Sequence, residues 1–267
     1  MKKKKRILFV GIAVITALIL MIVRVPKHTA AVDISKEVHH APVMPSSFTP
    51  KDAPLQYNHS KRKVVYLTFD DGPGAYTPQV LSILKQNHIQ AAFFLIGSHA
   101  QQYPSLVKQE LQSGDYIGLH SMSHTYKKLY VQGTFVPEML ETQQIIKGII
   151  GIAPRLARPP YGSMPGLTQQ LRNQAVEAHL LVWDWTIDSL DWTYDKKPLD
   201  RSVPAIVNNV LSHAVRDREV VLMHDIHPQS VQALPLIIEG LRAKGYDFEV
   251  YNEANHFPMN FWHDGRL

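Results

Sequence analysis

An α/β barrel is the fold that residues 61–267 predict, and three observations predict it. Short β-rich runs alternate with amphipathic helical runs, making about seven units from residue 63 onward. The β-rich runs are apolar throughout rather than alternating, as parallel strands buried on both faces are. The turn after the first run, DDGPGAY (70–76), carries neither GxGxxG nor GxxxxGK, the phosphate loops that an open doubly wound sheet usually displays there.

The units follow in order. KVVYLTF (63–69) reads as the first strand. TPQVLSILKQNH (77–88) reads as a helix, with Thr77 as N-cap and Pro78 at the first helical position, where a missing N–H does no harm. AAFFLIG (91–97) is the second strand, and AQQYPSLVKQELQSG (100–114) is the second helix, closed by Gly114. YIGLH (116–120) is the third strand, followed by a helix over 136–151. PRLARPP (154–160) is a weak fourth strand, with a helix over 165–178 behind it. HLLVWDWTI (179–187) reads as one continuous fifth strand, in which Trp183 and Trp185 are core or wall. The helix over 202–214 takes Ser202 as its cap, with Pro204 in its first turn. EVVLMH (219–224) is the sixth strand, 229–245 a helix ending on Gly245, and DFEVYN (247–252) the seventh strand.

The chain has 267 residues, enough for one large domain with a substantial core. Its net charge of +5 does not point to nucleic acid. Residues 2–6, KKKKR, supply five of the 28 basic residues, and the remaining 23 balance the 23 acids. The absence of cysteine excludes disulfides, thiolate metal sites and a cysteine nucleophile. After the basic run, residues 7–23 (ILFVGIAVITALILMIV) carry no charge. At about 1.5 Å rise per residue they are just long enough for a transmembrane helix. An uncleaved single-pass anchor fits that length better than a signal peptide, for which Thr29-Ala30-Ala31 is a weak cleavage site. The basic residues 1–6 then stay in the cytoplasm, and the rest of the chain is expected outside the cell membrane, or secreted if the segment is cleaved. Residues 24–60 are polar and punctuated by Pro26, Pro42, Pro45, Pro50 and Pro54, and read as an extended, disordered extracellular tether. His28, His39, His40 and His59 fall in it and read as solvated.

In a barrel the reactive groups belong at the C-terminal ends of the strands. The sequence meets that test. The first strand ends in Asp70-Asp71, the third in His120 followed by SMSH, and the fourth in RPPYG (158–162). The fifth leads into IDSLDW (187–192), and the sixth ends in His224-Asp225. His120 and His124 are four apart, so on a helical turn both imidazoles grip one ion. Alone, the pair also fits two surface histidines in a chain with 14. Two histidines and one acid make a familiar catalytic zinc set, and a sulfur-free N,O set suits Mn2+ or Co2+ as well. DDGP alone also fits a polar turn. Two adjacent carboxylates at the mouth of an apolar strand are cheaply ionised only if cations divide them. A divalent ion can hold one and Arg158 the other, leaving that second carboxylate to take a proton from water. His224 is a candidate general acid, with Asp191 to orient it and raise its pKa. His227 competes from a less favourable place before Pro228. Trp192 is placed to line a small apolar pocket.

Five segments in this order resemble the polysaccharide deacetylases of the NodB-homology type, carbohydrate esterase family 4: TFDDGP (68–73), HSMSH (120–124), RPPYG (158–162), DSLDW (188–192) and LMH (222–224). The resemblance covers residues 64 to about 225 and assigns 61–267 as the deacetylase domain. It implies a distorted (β/α)7 barrel, in agreement with the count of units above. By this resemblance Asp70 is the general base, oriented by Arg158, and Asp71 is the metal ligand beside His120 and His124. The backbone amide of Tyr161 helps hold the oxyanion, His224 tuned by Asp191 is the general acid, and Trp192 and Leu222 wall the pocket for the acetyl methyl. The implied cofactor is a divalent metal, Zn2+ first, and the implied partner a glycan. Peptidoglycan N-acetylglucosamine is the expected substrate, ahead of N-acetylmuramic acid, chitooligosaccharides, poly-N-acetylglucosamine and acetyl-xylan. A silent glycan-binding module is the alternative from another class, against which the intact motifs argue.

Overall fold

The computed structural model describes residues 56–57 and 60–267. The basic run, the predicted membrane helix and nearly all of the tether lie outside the described residues. Among the described residues no helix is long and apolar enough to cross a membrane.

Two short antiparallel strands, β1 (Gln56–Tyr57) and β2 (Ser60–Lys61), precede the main body. The central strand β3 (Lys63–Asp70) is the longest, and its last six residues are buried. In chain order follow α1 (Thr77–Gln86), β4 (Ala92–Leu95), α2 (Gly97–Gln102), α3 (Pro104–Gln112) and β5 (Tyr116–Leu119). Then come α4 (Phe135–Ile150), β6 (Leu156–Ala157), α5 (Gln169–Glu177), β7 (Leu181–Val182) and β8 (Ile187–Asp188). The chain closes with α6 (Leu199–His213), β9 (Arg218–His224), α7 (Pro228–Ala243) and β10 (Tyr246–Phe248). The main sheet runs β7-β6-β5-β4-β3-β9-β8, and every pairing in it is parallel. β9 accompanies β3 from Val64 to Asp70, while β10 pairs with residues 63–65 of β3 and β4 with residues 68–70. This is a parallel half-barrel that fits the (β/α)7 expectation. Among the described residues no ladder joins β7 to β8, although they are neighbours in sequence.

That gap corrects the predicted continuous strand 179–187, and its cause is a buried carboxylate. Asp184 accepts from Ser163 N (2.8 Å), Ser163 Oγ (2.5 Å) and Phe261 N (2.7 Å). Its own amide donates to Met259 O (2.6 Å), so the chain leaves β6 after Trp183 N has bonded Ala157 O (3.0 Å), turns to the C-terminal segment at Asp184, and joins β9 only at Thr186, whose N donates to Val220 O (2.9 Å). The predicted helix 100–114 is two helices, because Pro104 disfavours helical backbone at Tyr103 (φ −125°, ψ 53°). Thr77 is not the cap of α1. It is the first helical residue, and its hydroxyl accepts from Gly74 N (2.8 Å) and donates to Asp225. Ser202 likewise lies inside α6, which begins at Leu199 after Pro198. The Ser202 hydroxyl donates back to Pro198 O (3.0 Å).

The helices cover a core in which Phe69, Phe93, Leu95, Leu119, Phe135 and Met139 are fully buried. Among the buried ionisable side chains, Glu110 on α3 has 0% exposure and neither of its carboxylate oxygens has a hydrogen-bond partner. Burial, then the nearby Asp225 and Asp115, push its pKa well above the usual range. A raised folded pKa gives stability that is full below the unfolded value and lost as pH rises through the folded one. Glu110→Met is therefore expected to raise stability at pH 8 by about 1–3 kcal/mol and to flatten the fall of Tm between pH 5 and 9. Asp115 and Asp225, each pushed up to about 7 by burial, keep some of that slope. Thermal melts in which the variant shows the wild-type slope would contradict this account.

Candidate active site

The C-terminal ends of β3, β5, β6 and β9 converge on one cluster. Along β3 alternate side chains share a face, which sets Thr68 and Asp70 on the same side. Asp71 then turns left-handed (φ 71°), so the two adjacent carboxylates part in direction. Gly72 follows because nothing larger fits: a Cβ there would lie 2.4 Å from Asp225 Oδ1.

Asp70 is buried, and its Oδ1 accepts from Arg158 Nη1 at 2.8 Å. Arg158 has no exposed surface. Its Nη1 also donates to Thr68 Oγ1 (2.6 Å), its Nη2 to Asp184 O (3.0 Å) and its Nε to Trp183 O (3.3 Å). The guanidinium lies 4.1 Å from the centre of the Phe94 ring. Arg158 is thus locked on every side and fixes one oxygen of Asp70. The other, Oδ2, faces His120 Nε2 at 3.7 Å.

His120 leaves β5 with Nδ1 2.8 Å from Arg158 O, an acceptor only, so Nδ1 carries the proton and Nε2 presents its lone pair. Asp71 Oδ1 lies 3.3 Å from that Nε2 and 3.4 Å from His124 Nε2. Three Lewis bases therefore face one another, their ligand atoms within 4.8 Å, and Asp71 Oδ1 is buried with no hydrogen bond of its own. An orphaned carboxylate oxygen between two imidazole nitrogens is what a divalent cation satisfies, and the two-nitrogen, one-oxygen set fits Zn2+, Co2+ or Mn2+. Burial works against ionisation of Asp71, but His120, His224 and His124 win and hold its carboxyl far below the usual range. Burial also opposes charge on His120, and Asp70 and Asp71 together raise it. At His124 burial and the neighbouring His120 lower the pKa. Metal uptake by this set competes with protons.

A second pair sits at the end of β9. His224 Nδ1 lies 2.7 Å from Asp191 Oδ1, and Asp191 Oδ2 accepts from His224 N (2.8 Å) and Ser230 Oγ (2.6 Å). Asp191 Oδ1 also accepts from Trp192 N (2.8 Å), and its backbone carbonyl from Gln229 Nε2 (3.0 Å). Burial alone would lower the His224 pKa. The Asp191 carboxylate overrides it, with help from Asp71 and Asp70, and the imidazole is pushed up to about 10. His227 has no such partner: Asp195 is 3.9 Å away, its ring centre is 6.0 Å from that of His224, and burial lowers its pKa.

The remaining expected residues are spread in exposure. Tyr161 is left-handed (φ 66°) and 55% exposed, with its hydroxyl donating to His124 O (2.7 Å) and its ring 4.7 Å from that of His124. Trp192, in a 3-10 turn over Asp191–Tyr194, is 52% exposed, whereas Leu222 on β9 is buried. The sequence reading did not single out Thr68, Gln229 or Ser230. Thr68 was within reach through the two-residue period of β3, but the other two depend on how α7 docks, for which the sequence carries no signal.

Parallel strands that deliver a metal-ready carboxylate–histidine set, an arginine-clamped carboxylate and an acid-backed histidine to one end define a hydrolase site of the metal-assisted class. A family model for polysaccharide deacetylases matches residues 57–179. A peptidoglycan-N-acetylglucosamine deacetylase of Bacillus cereus is 57% identical over 217 residues, covering 81% of this chain and 80% of the relative. The crystal structure of a Bacillus cereus polysaccharide deacetylase superposes with a TM-score of 0.76 at 58% identity, over 77% of this chain and 100% of that one. A family 4 carbohydrate esterase of Streptomyces lividans, solved with acetate, gives 0.63 at 34% identity, over 72% of this chain and 95% of that one. The chain belongs to the polysaccharide deacetylase family, whose members are metal-dependent enzymes.

Proposed function

We propose that this chain hydrolyses the acetamide of N-acetylglucosamine units in peptidoglycan, releasing acetate and a free amine on the glycan. The observation that carries the reading is the division of the two adjacent aspartates, Asp70 clamped by Arg158 and Asp71 orphaned between two imidazoles. The 57% identity to the Bacillus cereus relative supports the substrate. Asp71, His120 and His124 hold the divalent ion, for which Zn2+ is the best fit to the ligands. When bound, that ion supplies Lewis acidity and makes water a nucleophile near neutral pH. Asp70 acts as general base: Arg158 holds its Oδ1 and turns Oδ2 toward the ligand set, where it takes a proton from water. The backbone amide of Tyr161 donates to the oxygen that gains charge as the carbonyl is attacked. His224, protonated and held by Asp191, gives its Nε2 proton to the departing nitrogen. Trp192 and Leu222 flank the acetyl methyl.

Residues 7–23 serve as the single-pass membrane anchor in this proposal and 24–60 as the tether, which keeps the domain outside the cell close to the wall. The test is mass spectrometry of muropeptides from cells with and without the protein, beside acetate release by the purified chain. Deacetylated glucosamine should disappear with the protein. Unchanged glucosamine acetylation, or loss of acetyl from muramic acid instead, would refute this substrate.

A further inference from the structure

The segment joining the two histidine ligands is held by a residue outside it. His120 is fixed by β5 and by its bond to Arg158 O. His124 has no strand behind it, and its outside contact is with Tyr161, whose hydroxyl donates to its carbonyl (2.7 Å). It lies at φ 47°, and Ser121 before it at φ 65°, so the HSMSH turn contains two left-handed residues that are not glycine. Such backbone is unfavourable by about 1 kcal/mol or more per residue and persists only where the surroundings impose it. Inside the turn one bond opposes that strain, from His124 N to Ser121 Oγ (3.0 Å).

From outside, the carboxylate of Glu138, in the first turn of α4, is driven into the turn. Its Oε2 accepts from Met122 N (3.1 Å), Ser123 N (2.9 Å) and Ser123 Oγ (2.9 Å). Its Oε1 accepts from Ser123 Oγ (3.0 Å) and Thr134 Oγ1 (3.1 Å). Glu138 is buried, and an anion in the first turn suits the dipole of α4. Its neighbour Met139 places Sδ 3.3 Å from Ser121 N. We infer that Glu138 is a positioning residue for the metal centre: it pins residues 122–123 and thereby sets the His124 imidazole beside that of His120. The inference rests on the reading that Asp71, His120 and His124 hold a divalent ion, and it adds that α4 determines how tightly.

Zinc affinity of the purified protein, measured by chelator competition, tests it. Glu138→Ala should weaken zinc binding by about 10–100-fold, as loss of a partner behind the ligands does, and turnover should return to within a few fold of wild type at saturating zinc. Glu138→Gln keeps an oxygen for both amides, and its NH2 can donate to the two hydroxyls, so it should retain most of the affinity. Where Glu138→Ala does not fold, Ser123→Ala removes only hydroxyl contacts and should show a smaller loss in the same direction. The absorption spectrum of the cobalt-loaded Glu138→Ala protein should differ from that of wild type if His124 is displaced. Wild-type zinc affinity in Glu138→Ala, or a Tm loss that is equal with and without zinc at unchanged affinity, would overturn the inference. A wild-type protein that takes up no zinc would overturn the metal reading itself, and this one with it.

Discussion

Asp70→Asn is expected to lower turnover by about a thousandfold while zinc content stays stoichiometric, whereas His120→Ala loses both metal and turnover. The asymmetry follows from where each group points. Asp70 Oδ1 is committed to Arg158, and its Oδ2 stands 3.7 Å from His120 Nε2, beside the ligand set rather than in it. An asparagine fills the same buried space and still accepts from Arg158 through its carbonyl oxygen, but its amide takes no proton from water. Removing a general base reduces rates by about a hundred- to ten-thousandfold. His120 offers its lone pair directly to Asp71's side of the cluster, so truncation removes one of three ligand atoms. Metal analysis of the purified variants beside acetate release checks the pair. Equal metal loss in both variants would mean that Asp70 is itself a ligand.

Much of this was legible before any coordinates, for a physical reason. Parallel strands buried on both faces must be apolar, so the first polar residue after each apolar run marks a strand end. Asp70, His120, Arg158 and His224 all stand there, and the barrel rule gathers such residues at one face. What stayed hidden depends on long-range contacts. The chain around Asp184 alternates like a strand, yet its buried carboxylate is satisfied by Ser163 and by Phe261, 77 residues later. Local pattern cannot foresee that the segment splits into β7 and β8. Glu138 reads as one more polar residue early in a helix. Its four contacts with Met122 and Ser123 exist only once α4 docks beside β5. Glu110 carries the opposite lesson, since a glutamate in an amphipathic helix reads as solvent-facing and here lies in the core.

Asp191→Asn should be nearly as damaging to turnover, by about a hundred- to ten-thousandfold, and it carries a signature that no loss of base would show. In the native site Asp191 Oδ1 lies 2.7 Å from His224 Nδ1 and accepts its hydrogen bond, so in the proposed mechanism protonated His224 keeps an acidic N–H on Nε2 for the leaving nitrogen. Asparagine turns either its oxygen or its NH2 toward Nδ1. With the NH2 there, the neutral tautomer carrying the proton on Nε2 is favoured, and a neutral imidazole is a poor acid. With the oxygen there, the NH2 opposes His224 N, now donor against donor in a buried site, and the packing suffers. In both cases the anion that raised the pKa is gone, while burial, which lowers it, remains. The sign is then fixed. A general acid works below its pKa, so activity is lost as pH rises through that value. Wild type holds His224 up to about 10, and without Asp191 the alkaline limb should move to lower pH by more than one unit. The same linkage gives wild type a stability increment that is full below the unfolded histidine value near 6.5 and lost toward 10, which the variant lacks. A pH–rate profile of the zinc-loaded variant reads the shift directly. An alkaline limb that stays where wild type has it would show that Asp191 only packs the turn, and would return the proton donor to His227 or to solvent.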